Sequence, residues 1–210
     1  MRNSMYLGLI VGSLVLGAAA STAAAEFVPL FDGKTLAGWQ TAPGGNWEVK
    51  DGVIVGTSPQ SEPRHGMLLS VKKYADFVLK LKFKSLKGNS GLYFRAERVD
   101  SPVTVHGFQA EIAPSGPVGG LYETGGRAWV VQPDAALVKG CFKPGDWNEM
   151  TVTAQGRDIT VKLNGVTTAA LKNDPGRLEG CFGLQLHGGN EMHVEFKEIE
   201  IMVPPGSSSR

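Results

Sequence analysis

The chain is short of the residues that announce a familiar site. Its two cysteines, Cys141 and Cys181, are too few for a disulfide scaffold, and neither has metal-ligand spacing, so a zinc centre of paired Cys/His type is excluded. No nucleophile elbow, phosphate-binding P-loop, dinucleotide fingerprint or H-E-x-x-H motif occurs. The 21 lysines and arginines nearly cancel the 20 aspartates and glutamates, and no basic block stands out. That removes the electrostatic footprint of a nucleic-acid binder, and no nucleic-acid partner is expected. There is no repeat at a fixed period and no long helical pattern.

Long apolar runs are also missing, apart from Leu7–Leu16 near the start. Preceded by Arg2 and followed by small residues up to Ala23-Ala24-Ala25, this run reads as a secretory leader over residues 1–25. It is too short for a membrane span with stop-transfer flanks. The absence of a cysteine at the cleavage point argues against a lipoprotein. The expected mature protein is one domain over 26–203 with a frayed tail over 204–210, exported to the periplasm or beyond and free of the membrane. In an oxidising compartment Cys141 and Cys181 could form a disulfide; the alternative is two small buried thiols.

What the chain does have is short alternating runs separated by turn chemistry. Trp47–Lys50 and Val53–Val55 flank Asp51-Gly52, and Asn164-Gly165 separates two further β runs; both are hairpin signatures. Phe77–Ser85 alternates apolar residues with Lys80, Lys82 and Lys84, as a half-buried antiparallel strand with a solvated lysine face does. Asp134–Val138 could form a helical turn. Ten to fourteen strands of this kind predict an all-β fold, a two-sheet sandwich of jelly-roll type.

Chemistry concentrates between Gly88 and Ile112. A period of two sends Leu92, Phe94, Phe108, Ala110 and Ile112 to a core face, and Tyr93, Arg95, Gln109 and Glu111 to the other. Gly183–His187 repeats the pattern with Gln185 and His187. If its strand joins the same sheet, one polar face carries Arg, Gln, Glu and His, which suits a sugar: amides and carboxylates pair with hydroxyls, and aromatic rings cover C–H faces. Asn89 and Tyr122 are further candidate substrate contacts. Glu123 and Arg127 flank a glycine-rich turn that either carries them over this face or holds them in a salt bridge.

In these segments the chain resembles the 3-keto-disaccharide hydrolase family. The matching stretches are LFDGKTLAGW (Leu30–Trp39), WEVKDGVIVG (Trp47–Gly56), NSGLYFR (Asn89–Arg95), GFQAEI (Gly107–Ile112) and GGLYETGGRAW (Gly119–Trp129). They continue with PGDWNEMTVTAQG (Pro144–Gly156), LNGV (Leu163–Val166), GLQLHGG (Gly183–Gly189) and VEFKEIEI (Val194–Ile201). Lys197 departs from a common arginine and Glu123 from a common aspartate.

The resemblance implies a concanavalin A-like sandwich of two antiparallel sheets and cleavage of 3-keto-glycosides. A C3 ketone acidifies the C2 proton, so a base can form an enolate that expels the C1 substituent. His187 or Glu111 would be the base, with Glu123 a third catalytic candidate. Arg95 or a cation would stabilise the enolate, and Gln109 and Gln185 would orient hydroxyls. Tyr93, Tyr122, Arg127 and Asn89 complete the expected substrate contacts. Glu111, Glu123 and His187 could instead hold a divalent cation. Three other readings compete. Glu111 and Glu123 could form a two-carboxylate glycosidase; alternatively the domain is a non-catalytic carbohydrate-binding module, or a scaffold.

Overall fold

The computed structural model describes residues 26–207. The expected leader and the end of the tail lie outside the described residues. Fifteen strands form two antiparallel sheets, with one short helix, α1 (Ala135–Cys141), capped by the Asp134 carboxylate accepting from the Leu137 N–H. The fold is a jelly-roll sandwich, as expected. No helix among the described residues is long and apolar enough to cross a membrane.

The first sheet runs, in spatial order, β13 (Val166–Leu171), β12 (Asp158–Leu163), β11 (Asn148–Gln155), β6 (Phe77–Lys87), β15 (Met192–Met202), β4 (Val53–Ser58) and β3 (Asn46–Lys50). The short β1 (Val28–Pro29) pairs with β15. The second sheet runs β10 (Ala128–Val131), β9 (Leu121–Thr124), β8 (Val105–Ile112), β7 (Ser90–Arg98), β14 (Gly180–Leu186), β5 (Gly66–Tyr74) and β2 (Trp39–Ala42). The three alternating stretches singled out from the sequence are therefore neighbours, with β7 between β8 and β14.

Local chemistry explains the turns. Asp51 and Gly52 have φ of 50° and 80°, and Asn164 and Gly165 have 48° and 83°. Both pairs hold the left-handed conformation that a two-residue hairpin turn demands, which Asn, Asp and Gly tolerate best. On β6 every second residue from Phe77 to Phe83 is buried, while its lysines stay on the surface. Lys82 pairs with Glu198 and Lys84 with Glu195, in line with a solvated face.

The core lies between the sheets. Phe77 of the first sheet meets Phe94 and Phe182 of the second edge-on, with ring centroids 6.0 and 4.8 Å apart. Each fully buried phenylalanine stabilises the fold by roughly 1.5–3 kcal/mol. This contact seats β7 and β14 firmly, and their outer faces carry the polar residues. Cys141 and Cys181 are both free thiols, so the disulfide expectation gives way to the alternative of separate thiols.

Arg95 departs from the expected pattern. The pairing of β7 with β8 slips between Phe94 and Glu97, and Arg95 itself has φ of 47°. Such a β-bulge adds a residue to one strand and re-aims the side chains around it. Arg95 is consequently not beside Gln109 and Glu111. It is 1% exposed, donating to the Ala75 carbonyl through Nε (3.0 Å) and Nη2 (2.9 Å), to the Arg177 carbonyl (3.3 Å) and to Asp76 (3.3 Å). It is a structural tie between loops. Arg95→Ala should reduce unfolding free energy by about 3 kcal/mol by leaving those acceptors unpaired. Urea denaturation measures this, and a loss under about 0.5 kcal/mol, the level of an ordinary surface change, would contradict the tie.

Candidate functional site

The outer face of the second sheet holds a cleft of about 600 Å³. Gln109, Glu111, Tyr93, Gln185, His187, Tyr122 and Asn89 all line it, together with His65, Thr124, Trp129 and Asn190. Its centre is a hydrogen-bonded relay whose polarity can be deduced from one end. The Ser90 carbonyl can only accept, so Gln109 must present its amide N–H₂ there (3.2 Å). The same nitrogen donates to Gln185 Oε1 (2.9 Å). Gln185 Nε2 then donates to His65 Nδ1 (3.2 Å) and to the Tyr93 hydroxyl (3.4 Å). The Tyr93 hydroxyl also shares a hydrogen bond with Thr124 Oγ1 (2.9 Å), in which either hydroxyl can donate. Because His65 Nδ1 accepts, the proton of its neutral ring sits on Nε2. Gly91 makes the relay possible, since a Cβ there would collide with the Gln109 amide.

Glu111 lies one strand position from this relay, opposite Gly91. It is 5% exposed and accepts from the Asn89 amide. Burial disfavours the charged form and pushes its carboxyl up to about 7, against the pull of the Asn89 hydrogen bond. Tyr93 is also raised by burial and stays protonated.

His187 follows β14 directly. Its ring packs against His65, tilted by 59° with centroids 4.2 Å apart. His187 Nδ1 lies between two partners of opposite character, the Gly188 carbonyl at 2.7 Å and the Asn190 amide nitrogen at 2.9 Å. Asn190 Nδ2 donates to the same carbonyl (3.3 Å). The pair thus brings the His65 Nε2 donor beside a second imidazole on the cleft wall. His65 is held down to about 4, by burial first and then by the neighbouring His187.

The β9–β10 hairpin forms one wall. Tyr122 and Thr124 face the cleft, so alternation turns Glu123 to the opposite side. Glu123 accepts from Arg127 Nε (2.5 Å), and Arg127 grips buried Asp174 through both terminal nitrogens (2.8 and 2.9 Å). Neither Glu123 nor Arg127 is among the cleft-lining residues; the salt-bridge alternative describes them, and they anchor the hairpin to the loop after β13. Glu123 therefore does not converge with Glu111 and His187 on a metal ion or form a carboxylate pair with Glu111. Among the described residues no three His, Cys, Asp or Glu side chains are grouped as metal ligands.

His65, Thr124, Trp129 and Asn190 were not singled out from the sequence. His65 sits in the polar loop before β5, where nothing in the local pattern distinguishes it from an exposed histidine. Trp129 had a usable signal, a large aromatic on a short strand beside a glycine-rich turn; it packs edge-on against Tyr122 with centroids 5.4 Å apart.

A jelly-roll sandwich with a polar, aromatic-walled cleft on one sheet is the architecture of carbohydrate-handling domains, and the comparisons agree. Residues 26–202 match the family described as the 3-keto-alpha-glucoside-1,2-lyase-like domain, and the chain belongs to that family. No curated protein matches the sequence. Among solved structures, the chain is similar to a protein from Parabacteroides distasonis ATCC 8503 whose name assigns it provisionally to the glycosyl hydrolases. The two share 22% identity over 84% of this chain and 93% of that one, with a TM-score of 0.63. Carbohydrate binding module CBM66 from Bacillus subtilis is also similar (17% identity, 79% and 95% coverage, TM-score 0.61). So is a galectin-like protein of unknown function from the same organism (11% identity, 80% and 90% coverage, TM-score 0.60). At these identities the likeness establishes the fold.

The two shifted groups make opposing contributions to stability. Glu111 ionises near 7 when folded and near its ordinary 4.5 when unfolded, so the folded chain binds more protons between those values. Its contribution is fully present below pH 4.5 and is lost, by roughly 3 kcal/mol, as pH rises through 7. His65 runs the other way: its contribution is present above 6.5 and is lost as pH falls through about 4. Wild-type stability should change little between pH 4.5 and 6.5 on account of this pair. Glu111→Gln should leave only the histidine slope, becoming less stable on acidification, and should be more stable than wild type at pH 8. Thermal melts across this range test both signs; no gain at pH 8 would contradict a buried carboxylate.

Proposed function

We propose that the chain cleaves the glycosidic bond of 3-keto-glycosides by removing the C2 proton and eliminating the C1 substituent, outside the cytoplasm as the leader implies. The observation that carries this reading is Glu111, a buried carboxyl raised to about 7 in a cleft otherwise made of neutral amides, aromatics and imidazoles. A base poised near neutrality has the best compromise between availability and proton affinity. Membership of a family described as 3-keto-alpha-glucoside-1,2-lyase-like supports the substrate class.

In this mechanism ionised Glu111 takes the C2 proton, and the C2–H electron pair forms the enolate with the C3 carbonyl. The His65 Nε2–H is the neutral donor for the enolate oxygen, the role that Arg95 is too distant to fill. Collapse of the enolate breaks the C1–O bond and leaves a C1–C2 double bond conjugated with the ketone. Protonated Glu111 returns its proton to the departing oxygen. Water adding at C1, with a proton returning to C2, gives net hydrolysis; the His187 imidazole, on the cleft wall, is suited to receiving a proton from that water. Tyr122 and Trp129 offer rings to the C–H faces of the sugar.

The test is incubation with a 3-keto glucoside and with its unoxidised parent, with and without chelator, with products read by mass and NMR. Only the keto sugar should be consumed, and kcat/KM should rise with pH through about 7, following ionisation of Glu111. Glu111→Gln should cost at least about 10²-fold and erase that pH dependence. Equal turnover of the plain glucoside would replace this mechanism with ordinary glycoside hydrolysis. Saturable sugar binding without product would make the domain a binding module, the role that CBM66 carries in its name. Loss of turnover with chelator would add a divalent cation to the site.

A further inference from the structure

A second cavity of about 700 Å³ adjoins the cleft, and Trp129 lines both. Its other walls are the Pro114–Pro117 loop on one side and α1 with its flanking segments on the other, including Pro133, Ala135, Val138 and Phe142. The chemistry of the two cavities differs sharply. The cleft is lined by Gln109, Gln185, Glu111 and Asn89, the planar polar groups that pair with sugar hydroxyls. The second cavity offers proline rings, an indole, a phenyl ring and aliphatic side chains, and among the described residues Lys139 is its one charged lining group.

The position of Trp129 is fixed from several sides. Tyr122 meets it edge-on, and a Cβ at Gly120 would approach the Trp129 ring at 3.0 Å and Pro133 Cδ at 2.9 Å. The indole is thus seated over a bare glycine between Tyr122 and Pro133, a wall common to both cavities. It is 36% exposed, which leaves part of the ring open to a ligand.

We infer that this second cavity binds the leaving group of the substrate, and that the leaving group it is built for is an apolar aromatic ring system rather than a second sugar. This rests on the glycoside reading of the cleft. A glycoside with its sugar beside Glu111 must project its C1 substituent out of the polar site, and the apolar cavity across Trp129 is the adjoining space. A second sugar would bring hydroxyls to walls with few partners for them, at a desolvation cost; a flat aromatic group buries its faces against proline and indole without that cost.

The experiment measures binding to Glu111→Gln protein by titration calorimetry, using the methyl and 2-naphthyl α-glycosides of 3-keto-glucose and free 2-naphthol. The naphthyl glycoside should bind at least tenfold more tightly than the methyl glycoside. Ala135→Trp, on the exposed side of α1 and lining only the second cavity, should abolish that advantage and the binding of 2-naphthol while leaving methyl glycoside affinity unchanged. Equal affinities for the two glycosides, or an advantage that survives Ala135→Trp, would overturn the inference. The cleft reading is judged separately by wild-type turnover. Turnover of the methyl glycoside without any naphthyl preference leaves the cleft reading intact and removes this one. Naphthol binding that Ala135→Trp abolishes, in a chain that turns over neither glycoside, removes the cleft reading and with it the leaving-group role, and leaves only the aromatic preference of the cavity.

Discussion

The site depends on one buried contact, the amide of Gln109 crossing Gly91 to meet the amide of Gln185. Everything downstream takes its orientation from that crossing. The Ser90 carbonyl sets the Gln109 amide, which sets Gln185, which places the proton of His65 on Nε2 and donates to the Tyr93 hydroxyl. A half-satisfied network in this setting would be worse than an apolar one, because each unpaired amide would carry its full desolvation penalty. A side chain at Gly91 would break the crossing, so the absence of a Cβ at one strand position underlies the polarity of both amides and of His65.

Glu111 acquires its properties from the same packing. The core phenylalanines press β7 and β14 into place from beneath, and the surrounding amides and phenol are neutral groups, with His65 kept neutral by burial. None of them offers the carboxylate the full positive charge that would hold it ionised, so burial prevails over the Asn89 hydrogen bond. The cationic groups nearby are engaged elsewhere: Arg95 ties loops together, and Arg127 is held between Glu123 and Asp174. The bulge turns Arg95 to its loop partners, so its guanidinium takes no part in the cleft.

Much of this was legible beforehand, and the limits follow the range of the interactions. Alternation in β6, β8, β14 and β7 as far as Phe94 identified the faces correctly, because a strand with a close-packed core on one side cannot slip by one residue without exposing that core; it failed at the Arg95 bulge. The Asp51-Gly52 and Asn164-Gly165 turns were readable because left-handed backbone is a local demand. The glycine-rich turn beside Glu123 allowed both a place over the cleft and a salt bridge, and it is the parity of Tyr122 and Thr124 on β9 that turns it away. His65 gave no local sign of its role, since its contacts are with Gln185, 120 positions along the chain, and with His187.

By itself the sequence determined the all-β class, the hairpins, the core faces and the identity of the polar residues on β7, β8 and β14, because these rest on periodicity and on backbone preferences of single residues. The tertiary structure decided which strands are neighbours, where the ladder bulges at Arg95, and that His65 carries its proton on Nε2. Those are outcomes of pairing between segments far apart in the chain, and no local preference encodes them. Two glutamates of equal intrinsic acidity show the division: Glu111 is buried away from positive charge, while Glu123, on a neighbouring strand, is clasped by Arg127.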